Sequence, residues 1–225
     1  MKIAIDISQY SGEVTAQDFL QARAEGCSRV IVALNNLPLA QRQIDNALQA
    51  GLEVQAYIYY YFGQDVIART KACLPYLQGR NVNQVWIDCE DEKHTLAGKY
   101  LAGRIRVVRD YLRESGYTPG IYTARWWWQK YMGSINEFSD LPLWDATWDK
   151  DSDIDLVSYG GWSTPAMSQH TNDTTFAGIW CDINSYEGVE ETPTNQSVDK
   201  LGIYGKLDVI TDAVQEIRDI LGRMK

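Results

Sequence analysis

The sequence predicts an α/β fold: a modified (β/α)8 barrel whose helices are poor or missing in the last three units, plus a C-terminal amphipathic helix. Three observations carry this. Strand-like and helix-like stretches alternate as far as about Tyr131, the rhythm of parallel strands with covering helices. About eight strand-like segments can be counted, with good helix patterns only in the first five units. A doubly wound open sheet is the alternative, but "DISQYSG" after the first strand does not fit a glycine-rich phosphate loop.

The elements follow in order. "KIAIDIS" reads as a strand, and "TAQDFLQARAEG" as a helix closing at Gly26. "RVIVAL" is the second strand; "LAQRQIDNALQAG" is a helix stopped by Gly51. "EVQAYIYYYF" is a long β-rich run, and "DVIARTKACLPYLQG" is helical with a break at Pro75. "QVWIDCE" precedes the longest helix pattern, from about Ala97 to Ser115, and "PGIYT" is a short strand after it. Beyond Tyr131, "LPLWDATW", "AMSQHT" and "AGIWCDINS" are strand-like, with loops rich in Asp, Ser, Gly and Thr between them. These segments place a barrel domain at 1–188 and a linker with a helix at 189–225. In that tail Leu207, Ile210, Val214, Ile217 and Leu221 form one apolar stripe. It fits packing against the barrel, self-association, or docking onto a larger assembly.

Composition narrows the function. The chain has 225 residues, 45% of them hydrophobic, enough for one sizeable core. A net charge of -9 argues against a nucleic-acid or anionic-membrane partner. No stretch approaches the roughly 20 apolar residues of a membrane span, and the N-terminus lacks the apolar core of a signal peptide. Cys27, Cys73, Cys89 and Cys181 are widely spaced without a C-x-x-C, so reduced core cysteines are expected rather than disulfides or a metal site. The 8 Trp and 14 Tyr against 4 Phe hint at a wet cleft for stacking, since these rings carry a polar tip.

The chemistry sits in the acids. In "VWIDCED", strand periodicity points Trp86, Asp88 and Glu90 to one face and Ile87 and Cys89 to the other. Neighbouring carboxylates repel and resist burial, so either they end a solvated strand or they serve a site. "KIAIDIS" likewise offers Asp6, on a face with Ala4 and Ser8, and "IWCDINS" offers Asp182, with Trp180 and Asn184. Parallel barrels keep their chemistry at the C-terminal strand ends, where these acids would meet. The same period pairs Tyr57 with Tyr59 and Trp144 with Trp148. A mouth of four carboxylates ringed by aromatics suits oxocarbenium-like sugar chemistry. A hard divalent cation is the rival. With only His94 and His170, a histidine-rich metal site is excluded, and no metal or other cofactor is expected.

Six motifs in order then resemble glycoside hydrolase family 25, the Chalaropsis-type lysozymes of autolysins and phage endolysins. "AIDIS" is similar to the family's G-I-D-V-S, "VQAYIYYYF" to G-A-Y-H-F, "WIDCE" to D-x-E and "GIYTARWWW" to I-Y-T-S-x-x-W. "LPLWDATW" resembles L-W-x-A-x-Y, and "SQHT" with "CDINSY" resembles Q-Y-T and D-x-N-x-F. The resemblance runs from Ile3 to about Tyr186. It implies hydrolysis of the β-1,4 bond between N-acetylmuramic acid and N-acetylglucosamine in bacterial peptidoglycan. Glu90 matches the general acid, with Asp88, Asp6 and Asp182 as the other acids. Tyr57, Tyr122, Trp144 and Gln169 match groove residues, and Trp148 replaces a tyrosine. Water could attack directly, or the sugar's 2-acetamido group could assist, oriented by Asp88 or Asp182. The departures are Ala4 for Gly, Gln55 for Gly, Ile58 for a polar residue, and a missing Trp before Gln169; they bear on subsite shape. The expected setting is an endolysin held in the host cytoplasm until a holin releases it to the wall. A secreted autolysin, a virion component and a glycan-gripping barrel without activity are the rival readings.

Overall fold

In the computed structural model, which describes residues 1–187, eight strands close into a barrel in sequence order. They are β1 (Lys2–Ile7), β2 (Cys27–Ala33), β3 (Glu53–Tyr59), β4 (Gln84–Cys89), β5 (Thr118–Thr123), β6 (Leu143–Ala146), β7 (Met167–Phe176) and β8 (Ile179–Tyr186). Helices α1 (Ala16–Ala24), α2 (Leu37–Gln49), α3 (Val66–Cys73), α4 (Gly98–Glu114) and α5 (Arg125–Tyr131) follow the first five strands in turn. Among the described residues, none follows β6 or β7. The expected boundary after residue 188 and the apolar stripe of the tail lie outside the described residues.

Local chemistry sets the helix ends. Thr15 and Asp18 exchange side-chain and backbone bonds in a capping box at α1. Asp65 accepts from the Ile67 and Ala68 amides, each at 3.0 Å, and so starts α3. Pro75 ends that helix as expected, the chain tightening into a 3-10 turn at Leu74–Tyr76.

Strand alternation sorts the barrel into two cores. Ile5, Val30, Ile87 and Cys89 point outward into the layer beneath the helices. Ala4, Ile31, Trp86, Tyr122, Trp144 and Met167 point inward and fill the barrel. Trp144 is 1% exposed and meets Tyr122 and Trp86 edge-on at 4.5 and 5.6 Å. These aromatics therefore fill the barrel, and Tyr122 and Trp144 reach the cleft only at its floor. All four cysteines are buried and free.

The closed barrel is the one expected, one alternative falls and one expectation needs correction. The open sheet is ruled out by the pairing of β8 with β1. The strands are also not all parallel: β1 to β7 pair in parallel, but β8 runs antiparallel to both neighbours. Only Ala177 and Gly178 join β7 to β8, both at positive φ (49° and 86°), which makes a tight hairpin and leaves no length for a crossover.

Candidate active site

The four acids converge at one mouth of the barrel. Asp6 and Asp88 point inward near the ends of β1 and β4, and Glu90 lies one residue beyond β4. Asp182 reaches the same mouth from the first half of β8, because that strand is reversed; it pairs directly with Asp6 across the ladder. All four line a cleft of ≈ 810 Å³ and also its smaller lobe of ≈ 180 Å³.

Hydrogen bonds hold this floor in register. Gln169 Nε2 donates to Asp6 Oδ2 at 3.0 Å and to Asp182 Oδ2 at 3.2 Å. Its Oε1 accepts from the Tyr122 hydroxyl at 2.9 Å and from Trp148 Nε1 at 2.7 Å. Asn184 Nδ2 gives Asp6 Oδ2 a second bond at 2.8 Å, while Trp144 Nε1 fixes the Asn184 oxygen at 2.7 Å. Each amide side chain thus has its orientation set by a donor that can only donate. Asp182 Oδ1 accepts from the Asp173 amide at 2.7 Å. Asp88 differs: it is 2% exposed, and its Oδ1 is buried without a partner.

Burial and crowding raise all four acids. Desolvation, then the Asp182 charge, push Asp6 up to about 7 against the bonds from Asn184 and Gln169. Desolvation, then Asp182, also lift Glu90 to about 7. Asp88 is driven well above the usual carboxylate range by burial and then by Glu90 and Asp6. Asp182 is raised by burial, partly offset by the Asp173 amide. At neutral pH such a set can hold proton donors and charged acceptors together, as acid-assisted bond cleavage requires. Among the described residues, no group of three or more His, Cys, Asp or Glu side chains is arranged to hold a metal ion.

The family described as Glycosyl hydrolases family 25 matches residues 5–179. The chain belongs to that family. It is a glycoside hydrolase. A Dictyostelium discoideum protein named "Probable GH family 25 lysozyme 4" is 32% identical over 157 residues, 66% of this chain and 72% of its own. A family 25 lysozyme from Aspergillus fumigatus shares the fold with a TM-score of 0.67 at 18% identity, covering 83% of this chain and 94% of the other. The catalytic domain of endolysin ply40 from Listeria monocytogenes bacteriophage P40 does so at 0.64 and 15%, covering 84% and 94%.

The remaining residues predicted for the family 25 site also reach the cleft. Tyr57 touches both lobes, Tyr59 lines the larger, and Tyr122, Trp144, Trp148 and Gln169 line the smaller. Trp148 arrives by a different route from the one expected. β6 ends at Ala146, so no strand period pairs Trp148 with Trp144; a left-handed backbone at φ 54° turns it into the mouth, 38% exposed. Ser8 likewise falls beyond β1, where it caps a 3-10 turn. Asp91, next in the acidic run after β4, is buried, accepting from the Phe62 and Lys93 amides. Sequence reasoning missed Tyr10, Tyr61, Asn35, Gln64, Arg69, Asn172 and Asp173 on the cleft wall. Most sit on loops between strand and helix, and the signal available was position after a strand, the usual site-bearing face of a barrel.

Proposed function

We propose that the chain is an N-acetylmuramidase that cleaves the β-1,4 bond between N-acetylmuramic acid and N-acetylglucosamine in bacterial peptidoglycan. The observation that carries this is a single cleft whose four carboxylates are all raised, with Glu90 at about 7. Glu90 makes no hydrogen bond that would hold its proton elsewhere among the described residues, so it is free to protonate the leaving oxygen. Neither Asp88 oxygen accepts a hydrogen bond among the described residues; Oδ1 is sealed inside the barrel, which leaves Oδ2, on the cleft side, to accept the N–H of a 2-acetamido group. That group's carbonyl would then attack the anomeric carbon as the bond to the leaving oxygen breaks, with Asp88 orienting the acetamido group, and water would open the cyclic intermediate. Both Asp182 oxygens are already engaged, by Gln169 and by the Asp173 amide, which favours Asp88 over Asp182 in that role. Asp6 and Asp182, bridged by Gln169, set the field that keeps Glu90 protonated. Relatives named as lysozymes and as an endolysin support the wall as substrate, and we infer an endolysin-like lytic setting.

The test is digestion of purified peptidoglycan by the parent protein and by Glu90→Gln, reading new reducing ends by mass spectrometry. Muramic-acid ends should appear with the parent, and the variant should be slower by about 10²–10⁴-fold, the usual weight of a positioned general acid. If the protein sediments with the wall yet releases no ends, a glycan-gripping barrel replaces the enzyme.

A further inference from the structure

Among the described residues, the two lobes of the cleft are lined by five acids, Asp6, Asp88, Glu90, Asp173 and Asp182, and by one cationic side chain, Arg69. Arg69 stands on α3, on the flank built by the loops after β2 and β3. Its Nη2 donates to the Leu34 carbonyl at 2.6 Å and to Asn35 Oδ1 at 3.0 Å. Six other arginines hold a carboxylate among the described residues: Arg29, Arg42, Arg80, Arg106, Arg109 and Arg113. Arg69 does not, although it shares a cleft with five. Nor is it a leading influence on the four floor acids, whose shifts come from burial, from one another and from local hydrogen bonds. Its Nε and Nη1 make no hydrogen bond among the described residues. With Nη2 taken up by two neutral oxygens, the guanidinium keeps its full charge and free N–H donors at Nε and Nη1, either of which can give a carboxylate oxygen one charge-assisted hydrogen bond.

We propose that Arg69 is a specificity-determining residue that takes a carboxylate of the glycan at the β2–β3 flank of the cleft. This rests on the muramidase reading. A muramic acid unit brings a carboxylate on its lactyl ether, or, where that group carries a stem peptide, on the peptide. Such an anion is repelled from the acidic floor and attracted at Arg69, which Asn35 and Gln64 flank with further donors. Among the described residues, the opposite flank offers Trp148, Asn172 and Gln169 but no cation. The asymmetry orients the glycan, its carboxylate-bearing substituent toward β2 and β3. Screening over about 8 Å at physiological salt confines the effect to that flank.

Binding of four glycans to the Glu90→Gln protein, with and without Arg69→Gln, tests this by calorimetry. The glycans are a stem-free peptidoglycan oligosaccharide, a stem-bearing one, and each with its carboxyls converted to methylamides. The Glu90→Gln protein should prefer an anionic glycan to its methylamide by about tenfold, the scale of a charge-assisted hydrogen bond. Arg69→Gln should abolish the preference and Arg69→Lys should keep part of it. A preference among stem-free glycans alone assigns the lactyl carboxylate; one among stem-bearing glycans alone assigns the peptide. Equal losses on charged and neutral glycans would make Arg69 a mere tether of the Leu34 loop and overturn the proposal. So would no binding of any glycan, or no preference before Arg69 is changed. Release of muramic-acid ends by the parent is scored separately, so failure of the muramidase reading and failure of the charge preference are distinguishable.

Discussion

Glu90 is raised to about 7 by burial and by Asp182, which equips it as an acid near neutrality. If it protonates the leaving oxygen, kcat/KM should decline as pH rises through about 7, approaching tenfold per unit once the acid form is the minor one. Asp6 titrates in the same region, so the apparent value belongs to the coupled set rather than to Glu90 alone. A rate on soluble glycan that stays flat to pH 9 would remove Glu90 from this role. The four acids were legible because each follows an alternating apolar run, and period two fixes which way they point. Arg69 was not legible as part of the site, and Asn184 was legible only as a neighbour of Asp182 on its strand face, not as a partner of Asp6. Asn184 matters through Asp6, 178 positions away, and no local pattern encodes such a pair. Asp91 was illegible for the opposite reason: its acidic neighbours suggest solvent, but two backbone amides from separate loops satisfy it.

The elements read well from the sequence where periodicity decides them, and poorly where direction does. The first five strand–helix units stand where the apolar patterns and caps put them. The reversal of β8 was signalled only by "AG" at Ala177–Gly178, a turn too short for a crossover. After β6 a loop takes over the covering role of a helix. Tyr159 and Trp162 from that loop pack with Trp128 and Phe138 of the outer layer, and the Tyr159 hydroxyl donates to the buried Asp145. Gly160 permits this cover: its φ is 62°, and a Cβ there would lie 2.2 Å from the Trp162 ring. Gly160→Ala should therefore destabilise the protein by about 2–4 kcal/mol, combining positive-φ strain with overpacking. Urea titration would read this as a lower midpoint at similar slope. An unchanged midpoint would mean that the loop covers β6 without needing its observed turn.

The whole molecule carries the cost of its site. The inner core is apolar and aromatic at depth and ends at the mouth in four acids that burial and mutual repulsion disfavour in charged form. Their folded pKa values exceed the unfolded ones, near 4. Between those limits the native state binds more protons, so stability is greatest below the unfolded values. It is lost as pH rises through the folded ones, which for Asp6 and Glu90 lie at about 7. Asp88 exposes this cost most directly, being buried with one oxygen unpartnered beside Glu90 and Asp6. Asp88→Asn removes an ionisable group, and with it the cost of holding it in the protonation state that burial imposes, at almost constant volume, and supplies a donor for its neighbours. It should raise the melting midpoint at pH 8 by a few degrees, at about 2–4 °C per kcal/mol for a domain of this size. The gain should shrink toward pH 4, where the parent carboxyl is itself protonated, while turnover should fall if Asp88 orients the acetamido group as proposed. Melting curves of both proteins at the two pH values check the first part. A variant less stable than the parent at pH 8 would mean that the Asp88 carboxylate holds the barrel mouth together rather than straining it.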